Sequence, residues 1–244
     1  MTRRRTLTRE KVIAAAMGLA DRDGLEALSM RHLAQAVGVE PMSLYNHVRD
    51  KDDLLDALAD RVAAEMAPVT PDAAAPADAP EATVTLAAAG TGWRPAIRSR
   101  YVSARSVLRR HPWAVPLLES RPAGPDRMAQ HEALLATLRD AGFSLELAHR
   151  AFLLLDGHLY GSVLQEQAWP YRDAAEIQAV ASTIAARLPG DRYPHLRELF
   201  LERVVQTGPA DEGAFAFGLD LILDGLAQAR ARGPVTHETG RAAG

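Results

Sequence analysis

Apolar residues recur along this chain at spacings of three and four, and no stretch shows sustained alternation of apolar and polar residues. The first spacing places apolar side chains on one face of an α-helix, whereas a half-buried strand requires alternation. Aromatic residues are scarce, at 5% of the chain, and β-branched runs are short, although strands favour both types. The pattern therefore predicts an all-α protein.

The bulk composition excludes several classes of protein. The chain has 244 residues and no cysteine, which excludes disulfides, thiolate zinc sites and thiol catalysis. A core of this size needs no metal, and we expect neither a metal nor a cofactor. No apolar run approaches the ~20 residues of a membrane span or follows the basic N-terminus as a signal peptide would. We therefore expect a cytoplasmic protein that does not contact membranes.

Four parts follow one another along the chain. Residues 1–66 contain four short helical patterns, which begin at residues suited to N-cap or first-turn positions: Thr8, Ser29, Pro41 and Asp50. Residues 67–90 are rich in Ala and Pro, as is typical of a linker. Residues 91–232 form a second block of helical patterns. Residues 233–244 have the composition of a disordered tail.

The segment from Ser29 to Val48 has the pattern of a helix-turn-helix. Ala34 is small enough for two helices to cross, and Gly38 suits the turn between them. The second helix is expected to be anchored by three apolar residues, Val37, Leu44 and Val48. A helical corner that arises by chance is the alternative interpretation. The capped helices on either side favour the helix-turn-helix.

The exposed face of that second helix carries residue types that read DNA in the major groove. Ser and Asn bond to base edges, Tyr and His bond to bases or phosphates, and Met contacts a thymine methyl group. Arg31 and Lys51 are placed for phosphate contacts, and Arg3–Arg5 for a flexible arm in a groove. The predicted DNA-binding residues are Arg31, Pro41, Met42, Ser43, Tyr45, Asn46, His47 and Lys51.

The charge balance leaves a second function open. The net charge is −3, and the acidic stretch 50–60 follows an N-terminal region (residues 1–49) with eight Arg/Lys and five Asp/Glu, a local charge of +3. Any attraction to DNA is therefore local. The alternative is a helical ligand- or protein-binding sensor that does not bind DNA specifically. An enzyme is disfavoured, because the sequence has no His-Glu-x-x-His, phosphate-binding loop or nucleophile elbow, and we predict no catalytic residue.

The stretch from Leu7 to Val62 resembles the DNA-binding domain of the TetR (tetracycline repressor) family, most specifically at Leu44-Tyr45-Asn46-His47-Val48 with Lys51. Residues 109–122, 142–144 and 161–167 resemble the regulatory domain of the tetracycline repressors. The resemblance implies a ligand-binding and dimerisation domain over 91–232. It further implies a homodimer, recognition helices in successive major grooves, and a repressor released from a palindromic operator by a small-molecule inducer.

The tetracycline-binding chemistry of those repressors is not expected here. Aligned on Arg121-Pro122, Leu117 occupies the position of the magnesium-binding histidine, and an isobutyl group cannot bind a cation. The positions of polar residues that contact the drug in the tetracycline repressors align with Ser99 and Ser103, and the position of a glutamine that contacts it aligns with Leu134. Ser120 is the one hydroxyl that matches those repressors. We expect a more apolar or differently shaped ligand. An alignment shifted by one turn would instead bring in His111 or His131.

Several residues of the second block are candidates to line a ligand pocket, although each also suits a plain core position. They are Tyr101, Ser103, Trp113, Leu117, Ser120, His131, Leu134, Leu138, Phe152 and Leu155. Two polar residues of a very apolar helix, Asp156 and His158, would line either this pocket or a subunit interface.

Glycines inside two long helical patterns suggest close backbone approach. Each mid-helix glycine costs about 1 kcal/mol relative to alanine, so a packing reason is expected. We predict a four-helix bundle between two subunits, with packing within one chain as the alternative. The predicted interface glycines are Gly157, Gly161, Gly218 and Gly225.

Overall fold

The computed structural model describes residues 7–66, 92–168, 174–205 and 212–233, and every regular element among them is helical. The prediction of an all-α protein is confirmed. The predicted linker (67–90), the Arg3–Arg5 arm and the tail after Gly233 lie outside the described residues. None of the described helices is long and apolar enough to cross a membrane.

Four helices form the N-terminal domain. They are α1 (Arg9–Asp23), α2 (Met30–Val37), α3 (Pro41–Leu44) and α4 (Lys51–Glu65). The predicted caps are confirmed: the N–H of Lys11 donates to Thr8 at 3.3 Å, that of His32 to Ser29 at 3.2 Å and that of Asp53 to Asp50 at 2.8 Å. Gly38 ends α2 with a φ of 73°, a left-handed conformation that glycine adopts without strain.

The second block contains seven helices among the described residues. They are α5 (Trp93–Arg110), α6 (Ala114–Ser120), α7 (Pro125–Asp140), α8 (Leu145–Ala168), α9 (Ala174–Ala186), α10 (Pro194–Leu199) and α11 (Glu212–Arg232). A π-helical turn, Phe200–Val204, continues α10. Helix α5 buries one apolar face, which consists of Ile97, Tyr101, Ala104 and Leu108.

One apolar core runs through both domains. In the first domain it contains Val12, Leu33, Leu44 and Leu58, each fully or almost fully buried. Helix α4 packs against α1 on one side and against α6 and α7 on the other. Because α4 belongs to both packing layers, it is the element through which the second block positions the first.

Candidate DNA-binding face and regulatory cavity

The recognition element, which consists of α3 and the turn that follows it to Val48, is short and presents polar side chains outward. Helix α3 continues as a hydrogen-bonded turn, in which the N–H of Val48 donates to the carbonyl of Leu44 at 3.0 Å. Leu44 and Val48 are buried, as predicted, and Val37 is half-buried. Met42 is 75% exposed and Tyr45 44% exposed. One side of the element therefore anchors it to the core, and the other side is accessible.

The remaining predicted DNA contacts lie at accessible positions. Asn46 is exposed, whereas Pro41, Ser43 and His47 are half-buried. Arg31 lies in the first turn of α2 and Lys51 is the first residue of α4, and both are exposed.

A cluster of charged groups fixes the end of the recognition element. The guanidinium of Arg9 donates to the carbonyl oxygen of His47 at 2.8 Å and to both carboxylate oxygens of Asp53 at 2.9 and 3.0 Å. Asp53 also accepts from the backbone N–H of Arg49 at 2.9 Å. The hydrogen bond from Arg9 lowers the pKa of Asp53 to about 2. The cluster joins α1, the segment after α3, and α4.

Sequence analysis missed Arg9 and Arg49. The sequence carried no sign of the Arg9–Asp53 pair, because the two residues are 44 positions apart along the chain. Arg49 has an 85% exposed side chain next to the recognition element, and its position directly before the Asp50 cap was the available signal.

Two sets of polar contacts join the domains. His111, which ends α5, contacts the carboxylates of Asp21 at 2.7 Å and Glu65 at 3.2 Å. The indole N–H of Trp113 donates to the same oxygen of Asp21 at 2.7 Å. These contacts tie the ends of α1 and α4 to the α5–α6 junction.

The second set lies along one face of α4. The guanidinium of Arg121 donates to Asp52 at 2.7 Å and to Asp56 at 2.6 Å. One turn later the Asp60 carboxylate accepts from two backbone N–H groups in the first turn of α7, those of Asp126 at 3.3 Å and Arg127 at 2.9 Å. The acidic stretch noted in the sequence is therefore largely an interdomain surface.

A small cavity of about 20 Å³ lies between α4, α5, α6, α7 and α8. Helix α4 contributes Ala63 and Met66 to its wall. The polar part of the lining consists of Arg100, Tyr101, Arg127, Gln130, His131, Asp156 and Tyr160. An occupant of this cavity would touch α4 directly.

Hydrogen bonds organise the polar lining. The hydroxyl of Tyr101 donates to Asp156 at 2.7 Å, and the guanidinium of Arg100 donates to the Gln130 side-chain oxygen at 2.8 Å. Burial raises the pKa of Tyr101 and of Asp156, and it lowers that of Arg100. Each shift has the sign expected where a low dielectric disfavours the charged form.

An open apolar depression of about 690 Å³ adjoins the cavity. It is lined by His131, Leu135, Leu145, Glu146, His149 and Phe152. His131 lines both spaces and packs edge-on against Phe152, with ring centroids 5.0 Å apart. His131 is therefore the side chain that the two spaces share.

Comparison with known proteins identifies the family. Residues 12–58 match the model described as bacterial regulatory proteins of the tetR family, and residues 86–230 match the tetracyclin repressor-like C-terminal domain. The chain belongs to the TetR family. It is therefore a ligand-responsive, DNA-binding transcriptional regulator, and the alternative of a sensor without specific DNA binding is not supported.

Relatives of this TetR-family chain span most of its length. The transcriptional repressor DrrR1 of Streptomyces coeruleorubidus is 34% identical and covers 91% of this chain and 77% of its own. The class C tetracycline repressor of Escherichia coli is 32% identical and covers 92% of both chains. Streptomyces coelicolor ActR, solved in complex with actinorhodin, has a TM-score of 0.69 at 27% identity over 92% of this chain and 97% of its own. The relatives are named regulators and repressors, as expected for a protein that is not an enzyme.

The structure brings together only some of the predicted ligand residues. Tyr101 and His131 line the polar cavity, and Phe152 lines the adjoining depression. Leu117, Leu134, Leu138 and Leu155 are buried in the core. Ser103 is half-buried and does not line the cavity. Ser120 is exposed, and its hydroxyl donates to the Pro116 carbonyl of its own helix at 2.6 Å. Trp113 and His111 lie at the domain junction instead.

The lining differs from the expectation of a more apolar ligand. Arg100, Arg127 and Gln130 bring strong donors to the cavity, and sequence analysis missed all three. The available signal was Arg100, which stands among the apolar positions of α5. No group of three or more His, Asp or Glu side chains among the described residues is arranged to hold a metal.

The remaining candidates, two polar residues and four glycines, lie in different parts of the structure. Asp156 lines the cavity, whereas His158 stacks on Phe215 and contacts its carbonyl at 2.9 Å, between α8 and α11. Gly218 faces His158 of the same chain, where an added Cβ would lie 2.5 Å from the ring. Packing within the chain thus explains Gly218. A Cβ at Gly157, Gly161 or Gly225 meets no described atom within 4 Å.

Proposed function

We propose that this protein is a homodimeric repressor that binds a palindromic operator through α3 and releases it when a small molecule enters the regulatory domain. The observation that carries the proposal is the accessible face of α3, held in place by the Arg9–Asp53 pair. DNA contact is assigned to Arg31, Pro41, Met42, Ser43, Tyr45, Asn46, His47 and Lys51. Because its target is the chromosome, the protein would act in the cytoplasm.

The dimer proposal is supported by an exposed apolar face. On α8, Leu153, Leu154 and Leu164 are about half exposed and share one face with Gly157 and Gly161. On α11, Phe217 and Leu221 are 67% and 55% exposed, and Gly225 follows one turn later. Large exposed apolar patches mark interaction sites. Two α8–α11 pairs, packed as a four-helix bundle, would bury these side chains and would use the glycines for close approach.

Release of the operator is proposed to pass through α4. The cavity wall includes Ala63 and Met66 near the C-terminal end of α4, while Arg121 and the first turn of α7 bind the acidic face of the same helix. A ligand that displaces these elements would shift α4 and change the spacing between the two recognition elements. Half-sites on DNA require a spacing of about 34–36 Å or a multiple of it.

Selection of DNA fragments tests the function. The purified full-length protein is incubated in low salt with fragmented DNA from its own genome, and the retained fragments are sequenced. We expect a short palindrome with half-sites one helical turn apart, or a multiple of one turn. Retention without any enriched sequence, or no retention, would overturn the proposal.

A further inference from the structure

We propose that the regulatory cavity takes an organic anion: a ligand with an apolar body that carries one carboxylate, which the guanidinium groups of Arg100 and Arg127 bind. The inference rests on the proposed function, since it names the ligand of the cavity that the proposal uses for release. It comes from the distribution of charge in the lining.

The two arginines of the cavity lack carboxylate partners. Arg100 is 7% exposed, and its hydrogen bond goes to the neutral side chain of Gln130. Arg127 is half-buried and donates to the backbone carbonyl of Arg121 at 3.0 Å. Neither forms an ion pair with a carboxylate of the described residues. Buried charges in proteins are normally paired, because an isolated buried ion has lost its hydration.

The acidic groups near the cavity do not balance these charges. Asp156, the one carboxylate of the lining, accepts the hydroxyl of Tyr101; burial raises its pKa, whereas Tyr101, Arg100 and Arg127 act to lower it. Glu119, the other carboxylate near Asp156, is exposed to solvent. His131 adds no negative charge, and burial together with Arg127 and Arg100 lowers its pKa. The lining therefore carries two guanidinium groups against one carboxylate.

One buried donor of the cavity lining is left without a partner. The Nε of Arg127 is buried and makes no hydrogen bond with any described residue. An unsatisfied buried donor is destabilising, so each such group calls for an explanation, for example a bound ligand or an ordered water. A carboxylate can accept from two N–H groups of one guanidinium at once, which suits the fork geometry of an arginine.

The adjoining depression defines the other end of the ligand. The cavity itself, at about 20 Å³, has room for about one water molecule, so a larger ligand must displace part of its wall. His131 lines both the cavity and the 690 Å³ depression and packs against Phe152, and the lining of the depression is mostly apolar. Rotation of the His131 ring would join the two spaces. An apolar body would then lie in the depression with its carboxylate at the arginines.

Matched carboxylates and carboxamides test the inference. The melting temperature of the full-length protein is measured with 2-naphthoate and anthraquinone-2-carboxylate at about 1 mM, and with the corresponding neutral amides. We expect at least one carboxylate to raise it by roughly 2–4 °C, as binding well above Kd does, and its amide to have little effect. Equal shifts with the amides, or no shift with either carboxylate, would overturn the inference.

Arginine variants locate the site. We expect the carboxylate shift to be lost in Arg127→Gln and Arg100→Met, and to persist in Arg139→Met, a control at an exposed position of α7. Circular dichroism checks that each variant is folded. Because Arg127 is only half-buried, its replacement is the milder of the two changes. A shift that persists in both cavity variants would contradict the assignment.

The same preparations separate this inference from the proposed function. Operator retention is measured without any carboxylate. If the carboxylates bind and no operator is retained, the proposed function fails while the ligand class holds. If an operator is retained and neither carboxylate binds, the ligand class fails alone.

Discussion

Single arginines connect distant parts of this protein. Arg9 joins the start of α1 to the recognition element and α4, Arg121 joins α6 to α4, and Arg100 and Arg127 meet at the cavity. Arginine suits these roles because its planar group donates several hydrogen bonds in a fixed fork and stays charged. Each link therefore depends on geometry as well as on charge.

The Arg9–Asp53 pair gives the protein a predictable acid dependence. The folded-state pKa of Asp53, about 2, lies below the usual value of 3.8. The pair therefore stabilises the fold above the unfolded-state pKa, and this contribution is lost as the pH falls from about 4 towards 2. We expect Asp53→Asn to cost on the order of 1–2 kcal/mol near neutral pH, and less as the pH approaches 2.

This dependence is measured by urea denaturation of the wild type and of Asp53→Asn. The pH is lowered from about 7 to the lowest value at which both proteins still fold. Glu26→Gln, an exposed change in the turn after α1, is the control and should show no such trend. A stability difference that does not change with pH would show that the Asp53 charge is not the stabilising feature.

At the scale of helices, the sequence predicts most of the structure. Thr8, Ser29, Gly38 and Asp50 mark helix ends through local hydrogen bonds and backbone conformation, and such signals are contained in a few neighbouring residues. The ligand site is less predictable. Its lining comes from five helices, and the partners of Arg100 and Tyr101 lie 30 and 55 residues away along the chain. Periodicity identifies a buried face without identifying what it faces.

The sequence places Gly218 inside a helix but does not identify the group that it faces. Its packing can be tested. A methyl group there would lie 2.5 Å from the His158 ring, so Gly218→Ala should destabilise the protein by about 1–3 kcal/mol through overpacking. In the His158→Ala background the same change should cost much less. Denaturation of the wild type, both single variants and the double variant gives the coupling energy. Equal costs in the two backgrounds would contradict packing within the chain.

At the scale of the whole molecule, two interfaces organise function. The interdomain contacts hold α4 between the recognition element and the cavity. The exposed α8–α11 face is proposed to join two subunits, and linked half-sites compensate for the modest positive charge of each DNA-binding domain.

Gly161→Leu tests the proposed dimer. The larger side chain would prevent close approach of the helices, so we expect a particle of about one 26.4 kDa chain in sedimentation experiments, against two for the wild type. Ala136→Leu adds a similar group at an exposed position of α7 and should leave the dimer intact. If the Gly161 variant stays dimeric, α8 does not pack closely at this position.

The central claim is that the exposed face of α3 reads an operator. The most direct measurement is the affinity of the selected palindrome for the wild type, Tyr45→Ala and His47→Ala, with Met128→Ala, an exposed change on α7, as the control. We expect at least about tenfold weaker binding for the Tyr45 and His47 variants, at unchanged dimer mass and with the control unaffected. Unchanged affinity in both of these variants would contradict the assignment of this face to DNA.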